Sequence, residues 1–371
     1  MAAGAQGLRF MHRALRLAGR AAGRTSPNPM VGAVIVRRGR IVGAGYHRQA
    51  GLAHAEVEAL RQAGRRARGA TMYVTLEPCN HQGRTPPCCE AILAAGISRV
   101  VAATRDPNPI TKGRGFTRLR RSGIRVTSGV LERESQTLNE PFEKVMRTGV
   151  PWMLAKMGQS LDGKIATRAG QSRWITSDAA RRTGREWRGR VDAILTGVNT
   201  IRRDDPLLTA RTGSPRAGKP VKIIVDSRLR MPLAARCLSP KSPAPTLIAT
   251  TVHPSAGRRR ALLRRGAEVI VLPSRRGRVP LRQLAKTLAR RGIHSVLIEG
   301  GGEVLSGALE ERLVDRVAFF IAPVLIGGRS APGSVGGLGI SRLSQAVQLR
   351  DVSITTAGSD LQVEARVVYP G

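Results

Sequence analysis

Three short segments constrain this chain more than any other feature of its sequence. His54-Ala55-Glu56 offers an imidazole and a carboxylate, and Glu77-Pro78-Cys79 and Cys88 add two thiols. One imidazole and two thiolates leave a zinc ion with one open position, where water binds and ionises near neutral pH. We predict that the imidazole and both thiolates bind zinc and that Glu56 is the catalytic residue that carries protons for the water.

Local patterns predict the strand-to-helix junctions that would aim these ligands at one point. Residues 51–63 are expected to form a helix with His54 and Glu56 in its first turn. The β-rich run 71–76 is expected to form a strand, and residues 88–95 the next helix. A thiolate at the opening of a loop or helix is favoured by the backbone N–H groups there.

The spacing of the two cysteines is unusual. In zinc nucleobase deaminases two residues normally separate them, whereas eight residues separate Cys79 from Cys88. Two other interpretations stay open: a closed structural zinc site with Cys89 or His81 as a fourth ligand, and a set of unrelated buried thiols. A closed site has no use for a glutamate two residues after its histidine, and unrelated thiols do not explain the order of the motifs.

Length and composition bound the class of protein. The chain has 371 residues, enough for two domains of ordinary size, and 41% of them are hydrophobic. No apolar run reaches the roughly 18 residues that a membrane helix needs, so no membrane partner is expected. Four cysteines with metal-site spacing indicate a reducing compartment, and we expect a cytoplasmic protein.

The charge is strongly basic. Lysine and arginine number 62 against 25 acidic residues, for a net charge of +37, and only eight of the 62 are lysine, which leaves 54 arginines. Such a surplus is typical of nucleic-acid-binding proteins. However, aromatic residues make up only 3% of the chain, so platforms for base stacking are scarce. We interpret the charge as solvated surface that attracts phosphorylated substrates, with no specific nucleic-acid partner.

The N-terminal segment supports two interpretations. No acidic residue precedes Glu56, and the arginine-rich amphipathic run 8–24 resembles an organelle transit peptide. The stronger interpretation is a first packed helix over 8–22, because four apolar residues recur at helical spacing. These are Leu8, Met11, Leu15 and Ala18.

Predicted strands and helices alternate along the chain, which indicates an α/β fold. The pattern restarts after residue 147, so we expect a first domain over 1–147 and a second over 148–371. Further elements of the first are strands over 31–37, 40–46, 98–103 and 124–127 and a helix over 113–122. Those of the second are strands over 152–157, 192–196, 221–226, 246–250, 267–272, 295–299, 314–321 and 361–368, and helices over 178–189, 197–203, 255–265, 280–290 and 302–310. Segments 211–220 and 327–339 are expected to be flexible loops.

A glycine-rich turn, Glu299-Gly300-Gly301-Gly302-Glu303, follows a predicted strand and opens a helix. Such a turn can press backbone N–H groups against a phosphate. Leu305 stands where the third glycine of a Rossmann fingerprint would be. Taken alone, the glycines are weak support for a dinucleotide site, because such turns are common tight connections.

Together these motifs resemble the family of bifunctional riboflavin-biosynthesis deaminase/reductases. In the first half the resemblance lies in Pro27-Asn28-Pro29, Gly45-Tyr46-His47, the three zinc segments, His81, Gly83-Arg84-Thr85-Pro86-Pro87 and Asp106-Pro107-Asn108-Pro109. In the second half it lies in Lys156, Ser160–Lys164, Ser172–Thr176, Asp204-Asp205-Pro206, Asp226-Ser227, Glu299-Gly300-Gly301 and Ala322-Pro323. The resemblance covers essentially the whole chain, and the Cys-x8-Cys segment is its most specific part.

The resemblance implies an N-terminal cytidine-deaminase-like three-layer α/β/α domain and a C-terminal dihydrofolate-reductase-like α/β domain. The first would use zinc to deaminate 2,5-diamino-6-(5-phosphoribosylamino)pyrimidin-4(3H)-one hydrolytically. The second would use NADPH to reduce the ribosyl group of 5-amino-6-(5-phosphoribosylamino)uracil to ribityl. A homodimer or tetramer joined through reductase domains is also implied.

The same resemblance assigns binding residues. Those for the deaminase substrate are Asn28, His47, His81, Arg84, Asp106 and Asn108. Those for the reductase substrate are Lys156, Ser172, Trp174, Arg188, Leu208, Arg211 and Glu299, with Arg188 and Arg211 as phosphate clamps. Those for the cofactor are Gly158, Thr200, Asp204, Ser227 and Gly301. Because NADPH carries the hydride, this half is expected to supply orientation more than acid–base chemistry.

Two other functions remain open from the residues alone. A tRNA deaminase would suit the basic charge, but it predicts Cys-x2-Cys spacing and leaves residues 150–371 without a role. A non-catalytic basic protein with a structural zinc predicts that Glu56→Gln changes nothing.

Overall fold

The structure is a computed structural model that describes residues 4–83, 85–210, 219–239, 242 and 244–371. The chain divides into two compact units, Met1–Gly149 and Val150–Gly371. Each unit has its own sheet. Within the described ranges, no helix is both long enough and apolar enough to cross a membrane.

The first unit is built on a five-stranded sheet. Its strands are β1 (Gly32–Arg37), β2 (Arg40–Tyr46), β3 (Thr71–Leu76), β4 (Arg99–Thr104) and β5 (Arg125–Thr127). Its helices are α1 (Ala5–Gly19), α2 (Ala55–Ala63), α3 (Cys88–Ala94), α4 (Arg114–Arg121), α5 (Glu132–Leu138) and α6 (Glu140–Thr148). The strand order is β2-β1-β3-β4-β5. β1 runs antiparallel to both neighbours, whereas β3, β4 and β5 are parallel.

Both faces of this sheet are covered by helices. Successive residues of β1 point to opposite faces, so Val34 packs with Met11 of α1, while Ile35 packs in the cluster that holds Ala59 of α2. A side chain on Gly43 of β2 would come within 2.3 Å of the Ala59 carbonyl oxygen. This close approach fixes α2 directly on the sheet and so places its N-terminus, which carries the metal-ligand motif. The arrangement is the three-layer α/β/α architecture expected.

The second unit is built on a nine-stranded sheet. Its strands are β6 (Trp152–Ser160), β7 (Ala193–Gly197), β8 (Val221–Val225), β9 (Thr246–Thr250), β10 (Ala267–Val271), β11 (Ser295–Glu299), β12 (Arg316–Ala322), β13 (Gln348–Ala357) and β14 (Asp360–Val368). Its helices are α7 (Asp178–Arg188), α8 (Val198–Asp204), α9 (Ala256–Arg264), α10 (Leu281–Arg290) and α11 (Gly302–Glu310).

The order of this sheet is β10-β9-β8-β7-β11-β6-β12-β14-β13. The seven strands from β10 to β12 are parallel, and β14 and β13 complete the sheet as an antiparallel pair. Parallel strands bring their carboxyl ends to one edge, which is where ligands bind in open α/β sheets. The loops after β7, β8 and β11 therefore meet at one edge.

Several predictions of local structure are wrong. Helices α5 and α6 and strand β13 were not predicted. Helix α2 begins at Ala55, so His54 is its N-cap residue and does not lie in the first turn. In α1 the buried stripe includes Ala14 and Leu17, while Leu8 is exposed.

The two predicted loops have different outcomes. Residues 211–218 of the first lie outside the described residues. The second, 327–339, contains no helix or strand. It is tied to the start of α11, since Gly336 N donates to Gly302 O at 3.0 Å and Gly337 N to Glu303 Oε1 at 3.2 Å.

Candidate active sites

Three side chains of the first unit converge in one group. His54 caps α2, Cys79 follows β3, and Cys88 is the first residue of α3. Their ligand atoms all lie within 4.8 Å of one another. His54 Nδ1 is 3.1 Å from Cys88 Sγ and 3.6 Å from Cys79 Sγ. Tetrahedral zinc with its usual bond lengths places nitrogen and sulfur ligands about 3.5 Å apart, so the group fits zinc.

Local hydrogen bonds prepare the group for a cation. The Cys88 thiol and the His54 ring hydrogen-bond to Cys79 Sγ, and these interactions lower the pKa of Cys79 to about 4. Cys88 N also donates to Cys79 Sγ at 3.3 Å. Thr85 Oγ1 lies 3.3 Å from His54 Nε2, so the other ring nitrogen faces the thiols. An outer partner of this kind fixes the orientation of a metal-binding histidine.

The two side chains considered as a fourth ligand point elsewhere. Cys89 Sγ donates to Pro78 O and Gly115 O at 3.5 and 3.7 Å. His81 Nδ1 lies 3.4 Å from Thr111 Oγ1. In the part of the chain that the structure describes, the metal-capable group has three members. Such a set leaves a coordination position for water, as catalytic zinc sites require.

Glu56 lies in the first turn of α2, next to this group. It is only 3% exposed. Burial, followed by the negative charge of Cys79, raises the pKa of Glu56 to about 7. A carboxyl group that titrates near neutrality can both accept and release a proton during a reaction.

Asn28 and His47 form one wall beside the metal-capable group. Asn28 Nδ2 lies 3.1 Å from His47 Nε2, and His47 Nδ1 lies 3.1 Å from the Ala53 carbonyl oxygen. Burial lowers the pKa of His47, which favours the neutral ring. Its centroid is 5.3 Å from that of His54. A neutral ring that donates from Nδ1 to the carbonyl accepts the Asn28 amide at Nε2.

Asp106 and Asn108 belong to the loop after β4. Asn108 N donates to Asp106 Oδ1 at 2.9 Å, and burial raises the pKa of Asp106 to about 6. Thr111, in the same loop, contacts His81. These residues are therefore joined in one hydrogen-bonded loop. Arg84 lies outside the described residues.

Glu77 is a residue to which sequence reasoning gave no role. Its Oε2 accepts hydrogen bonds from Asp106 N at 3.2 Å and Gly113 N at 2.9 Å, and its Oε1 accepts one from Phe116 N at 3.1 Å. It is 3% exposed. It ties the end of β3 to the loop that carries Asp106. A charged residue directly after a strand of uncharged residues was the available signal, because buried charges need partners.

The second unit contains a cavity of about 1970 Å³ at the carboxyl edge of its sheet. Eleven of the predicted reductase residues line it. They are Lys156, Gly158, Ser172, Trp174, Arg188, Thr200, Asp204, Leu208, Ser227, Glu299 and Gly301. Arg211 lies outside the described residues.

Charged side chains organise one part of this cavity. Arg188 pairs with Glu299 Oε2 through Nε at 2.8 Å and Nη2 at 2.6 Å, and its Nη1 donates to Thr209 O. Ser172 Oγ donates to Asp204 Oδ1 at 2.8 Å. Burial lowers the pKa of Lys156. Nε and Nη2 of Arg188 already contact Glu299, so fewer of its N–H groups remain to bind a phosphate.

A glycine cradle forms another part of the cavity. Gly300 and Gly301 have φ of 73° and 83°, which side chains with a Cβ rarely tolerate. A Cβ on Gly300 would lie 3.3 Å from Thr200 Oγ1. Thr196 Oγ1 is buried without a hydrogen-bond partner among the described atoms. The backbone at the start of α11, which carries no side chains at Gly300 and Gly301, and the Thr196 hydroxyl, which can form a further hydrogen bond, suit the pyrophosphate of a dinucleotide.

The chain matches known families over both units. Residues 5–104 match the cytidine and deoxycytidylate deaminase zinc-binding region, and residues 151–363 match the RibD C-terminal domain. The chain is 42% identical over 357 residues to riboflavin biosynthesis protein RibD of Bacillus amyloliquefaciens, covering 96% of this chain and 95% of that protein.

Solved structures agree with these matches. A structure of Acinetobacter baumannii RibD aligns with a TM-score of 0.88 at 36% identity, covering 98% of this chain and 99% of that one. The Thermotoga maritima diaminohydroxyphosphoribosylaminopyrimidine deaminase/5-amino-6-(5-phosphoribosylamino)uracil reductase aligns with a TM-score of 0.85 at 34% identity, covering 97% and 98%. The family predicted from the motifs is confirmed, and a tRNA deaminase is not favoured. The chain therefore belongs to the RibD family of riboflavin biosynthesis proteins, enzymes that join a zinc-dependent deaminase to an NADPH-dependent reductase.

Proposed function

We propose that this chain first deaminates the phosphoribosylated diaminopyrimidinone and then reduces the ribosyl group of the resulting aminouracil to ribityl. One observation carries the proposal: a single chain holds a three-ligand metal group beside buried Glu56 and, in its second unit, a cavity with a glycine cradle. We assign deamination to residues 1–147 and reduction to residues 148–371.

In the deaminase half, His54, Cys79 and Cys88 would hold zinc, which supplies a water nucleophile near neutral pH. Glu56 would accept a proton from that water and would deliver protons to the ring nitrogen and to the departing amine. Asn28 and His47 orient the pyrimidine.

The remaining deaminase residues hold the rest of the substrate. His81, Arg84, Asp106 and Asn108 contact the phosphoribosyl side. Glu77 fixes the loop on which Asp106 and Asn108 lie, because three backbone N–H groups donate to its carboxylate.

In the reductase half, the protein supplies orientation, and NADPH supplies the hydride. The Gly301 turn and Thr200 would hold the pyrophosphate, and Gly158, Asp204 and Ser227 would hold other parts of the cofactor. The opened ribosyl chain is held by the remaining predicted residues. These are Lys156, Ser172, Trp174, Arg188, Leu208, Arg211 and Glu299.

A coupled assay tests the two activities and their order. Zinc-loaded protein receives the phosphoribosylated diaminopyrimidinone, first alone and then with NADPH. We expect ammonia release without NADPH, followed by NADPH oxidation once it is added. Ammonia without NADPH oxidation would contradict the second activity, and neither signal with zinc bound would contradict both.

The Arg188–Glu299 pair gives a prediction for the second half alone. Glu299→Gln removes the negative charge that Arg188 contacts in a largely buried place, and breaking such a pair is costly. We expect NADPH oxidation to fall by about 10²-fold while ammonia release is unchanged. The matched control is Glu268→Gln, whose pair with Arg291 is exposed and contributes little. Equal effects of the two variants would contradict the role of Glu299.

We also propose a homo-oligomer that forms through β13. This edge strand has nine exposed residues out of ten. Leu349, Val352 and Ile354 are 44%, 53% and 65% exposed. An exposed apolar edge strand is a template for pairing with another chain. We further propose that the small-molecule partner of the chain is the phosphorylated pyrimidine. We propose no specific nucleic-acid partner and no membrane partner, and we place the protein in the cytoplasm.

Light scattering after gel filtration tests the edge strand. Ile354→Lys places a charge on its apolar surface, and we expect the particle mass to fall to that of one chain. Thr355→Lys is the matched control, because neighbouring residues of a strand point to opposite faces. A monomeric wild-type protein, or dissociation by both variants alike, would contradict the proposed interface.

A further inference from the structure

The loop that carries Asn28 has few means of its own to keep a fixed shape. Residues 20–31, all within the described part of the chain, join α1 to β1 and contain no helix or strand. Pro27 and Pro29 flank Asn28 and have no backbone N–H to donate. Asn28 N donates to Thr25 O at 2.7 Å, which ties Asn28 only to its own loop. The place of the Asn28 side chain therefore depends on contacts from outside this loop.

Such a contact comes from Asn139, which lies 109 residues after Met30 in the sequence. Asn139 Oδ1 accepts a hydrogen bond from Met30 N at 2.8 Å, and Asn139 Nδ2 donates to Met30 O at 2.9 Å. A side-chain amide carries a donor and an acceptor side by side, so it can pair with an extended residue as a neighbouring strand would. The Asn139 amide thus clamps the loop two residues beyond Asn28.

Asn139 is itself held in place by the two helices that it joins. Its N–H donates to Ser135 O of α5 at 3.2 Å, and its carbonyl oxygen accepts a hydrogen bond from Glu143 N of α6 at 2.9 Å. The residue is only 4% exposed. Because its backbone groups are used within the helices, its side-chain amide is presented to Met30 from a fixed support.

The same segment also contacts the strand that leads to the metal group. Ser135 Oγ donates to Thr75 O of β3 at 2.7 Å, and Thr75 Oγ1 accepts a hydrogen bond from Gly32 N at 3.1 Å. Thr75 lies four residues before Cys79. The junction of α5 and α6 therefore fixes the Asn28 loop relative to the strand from which the first thiol of the metal group follows.

A shift of this loop would reach the deaminase site through two contacts. Asn28 Nδ2 lies 3.1 Å from His47 Nε2, and His47 N donates to Val31 O at 2.9 Å. Loss of the clamp at Met30 would free the segment that carries Asn28 and precedes Val31. Binding groups that are misplaced by about 1 Å can lower a rate by as much as 10²-fold.

We propose that Asn139 is a positioning residue for deamination: through Met30 it holds Asn28 where that side chain orients the pyrimidine. Asn139 does not touch the substrate, and its effect passes through the backbone of the loop. This inference rests on the proposed deamination. It gives the junction of α5 and α6 a role in the reaction that is separate from its contribution to the fold.

Asn139→Asp in the full zinc-loaded chain tests this role. Aspartate keeps the shape of the side chain but cannot donate to Met30 O. We expect kcat/KM for ammonia release from the phosphoribosylated diaminopyrimidinone to fall about tenfold. Zinc should stay at about one ion per chain, and NADPH oxidation with the aminouracil supplied directly should be unchanged. An unchanged kcat/KM for ammonia release would overturn the proposal.

A double-mutant cycle with Asn28→Ala separates positioning from a general structural role. If Asn139 acts through Asn28, adding Asn139→Asp to the Asn28→Ala protein should change kcat/KM by no more than about twofold. A general structural role predicts the same tenfold fall in both backgrounds, because independent effects add as free energies. Additive effects of the two substitutions would therefore overturn the proposal.

Two further variants complete the test. Val145→Ala removes a buried apolar group from α6 and leaves the clamp intact, so the first unit should melt at a lower temperature with kcat/KM within about twofold of wild type. The same fall in kcat/KM as in Asn139→Asp would overturn the proposal. Asn139→Ser, which introduces no carboxylate, should also lower kcat/KM. If neither Asn139 variant folds, Asn139 is a determinant of folding and the positioning role is overturned.

The outcome is separable from that of the coupled assay. If the wild-type protein releases ammonia and the cycle is additive, the positioning role of Asn139 fails and the deaminase function stands. If the zinc-loaded wild-type protein releases no ammonia, the proposed deamination fails, and the role of Asn139 fails with it.

Discussion

Replacing Glu56 with glutamine is expected to lower ammonia release by about 10²- to 10⁴-fold while zinc stays bound. Glutamine keeps the shape of the side chain but cannot accept a proton from water. His54, Cys79 and Cys88 are all retained in this variant, so metal analysis should still find about one zinc ion per chain. NADPH oxidation, measured with the aminouracil supplied directly, should be unchanged.

Glu58→Gln is the matched control for this experiment. Glu58 lies on the same helix, but its side chain is partly exposed and pairs with Arg61 at 2.8 Å. We expect the control to deaminate at the wild-type rate. A Glu56→Gln protein that deaminates normally would contradict the proton-carrying role and favour a structural zinc.

Cys88→Ser is expected to have the second large effect, on both zinc content and deamination. Zinc held by these ligands would join the start of α2, the loop after β3 and the start of α3, and metal binding contributes to folding where ligands come from separate segments. We expect zinc to fall from about one ion per chain to a small fraction, and ammonia release to be lost. The melting temperature of the first unit, measured by calorimetry, should also fall.

The adjacent cysteine provides the control. Cys89 is equally buried, but its thiol donates to backbone carbonyls and not to the metal group. Serine can still donate at that position, so Cys89→Ser should keep zinc and activity. Retention of zinc in Cys88→Ser, or equal loss in both variants, would contradict the ligand assignment.

The grouping of His54, Cys79 and Cys88 could be predicted from sequence because the chemistry limits the residue types. An imidazole followed by two thiols in this order indicates that the three side chains bind one metal ion. Strand β3 was predicted from its β-rich composition. The position of His54 as an N-cap could not be predicted in the same way. It depends on Gly43 and Gly45 letting α2 approach β2, which is a tertiary contact.

The missed elements lacked the signals on which sequence prediction depends. Helix α5 buries only Ser135, so it has no apolar stripe to mark a helical period. Strand β13 is exposed at nine positions, so it lacks the alternation of buried and exposed residues that marks half-buried strands. The role of Glu77 was missed because its three donors come from residues 106–116, about 30 to 40 positions away.

The division of the chain into two units, each with a complete sheet, bears on inheritance. No strand is shared between the sheets of the described residues, and the boundary falls between Gly149 and Val150. A gene interrupted there would encode two polypeptides, each retaining every strand of its sheet. Either half could then be duplicated, lost or fused to another partner in the course of evolution without dismantling the architecture of the other.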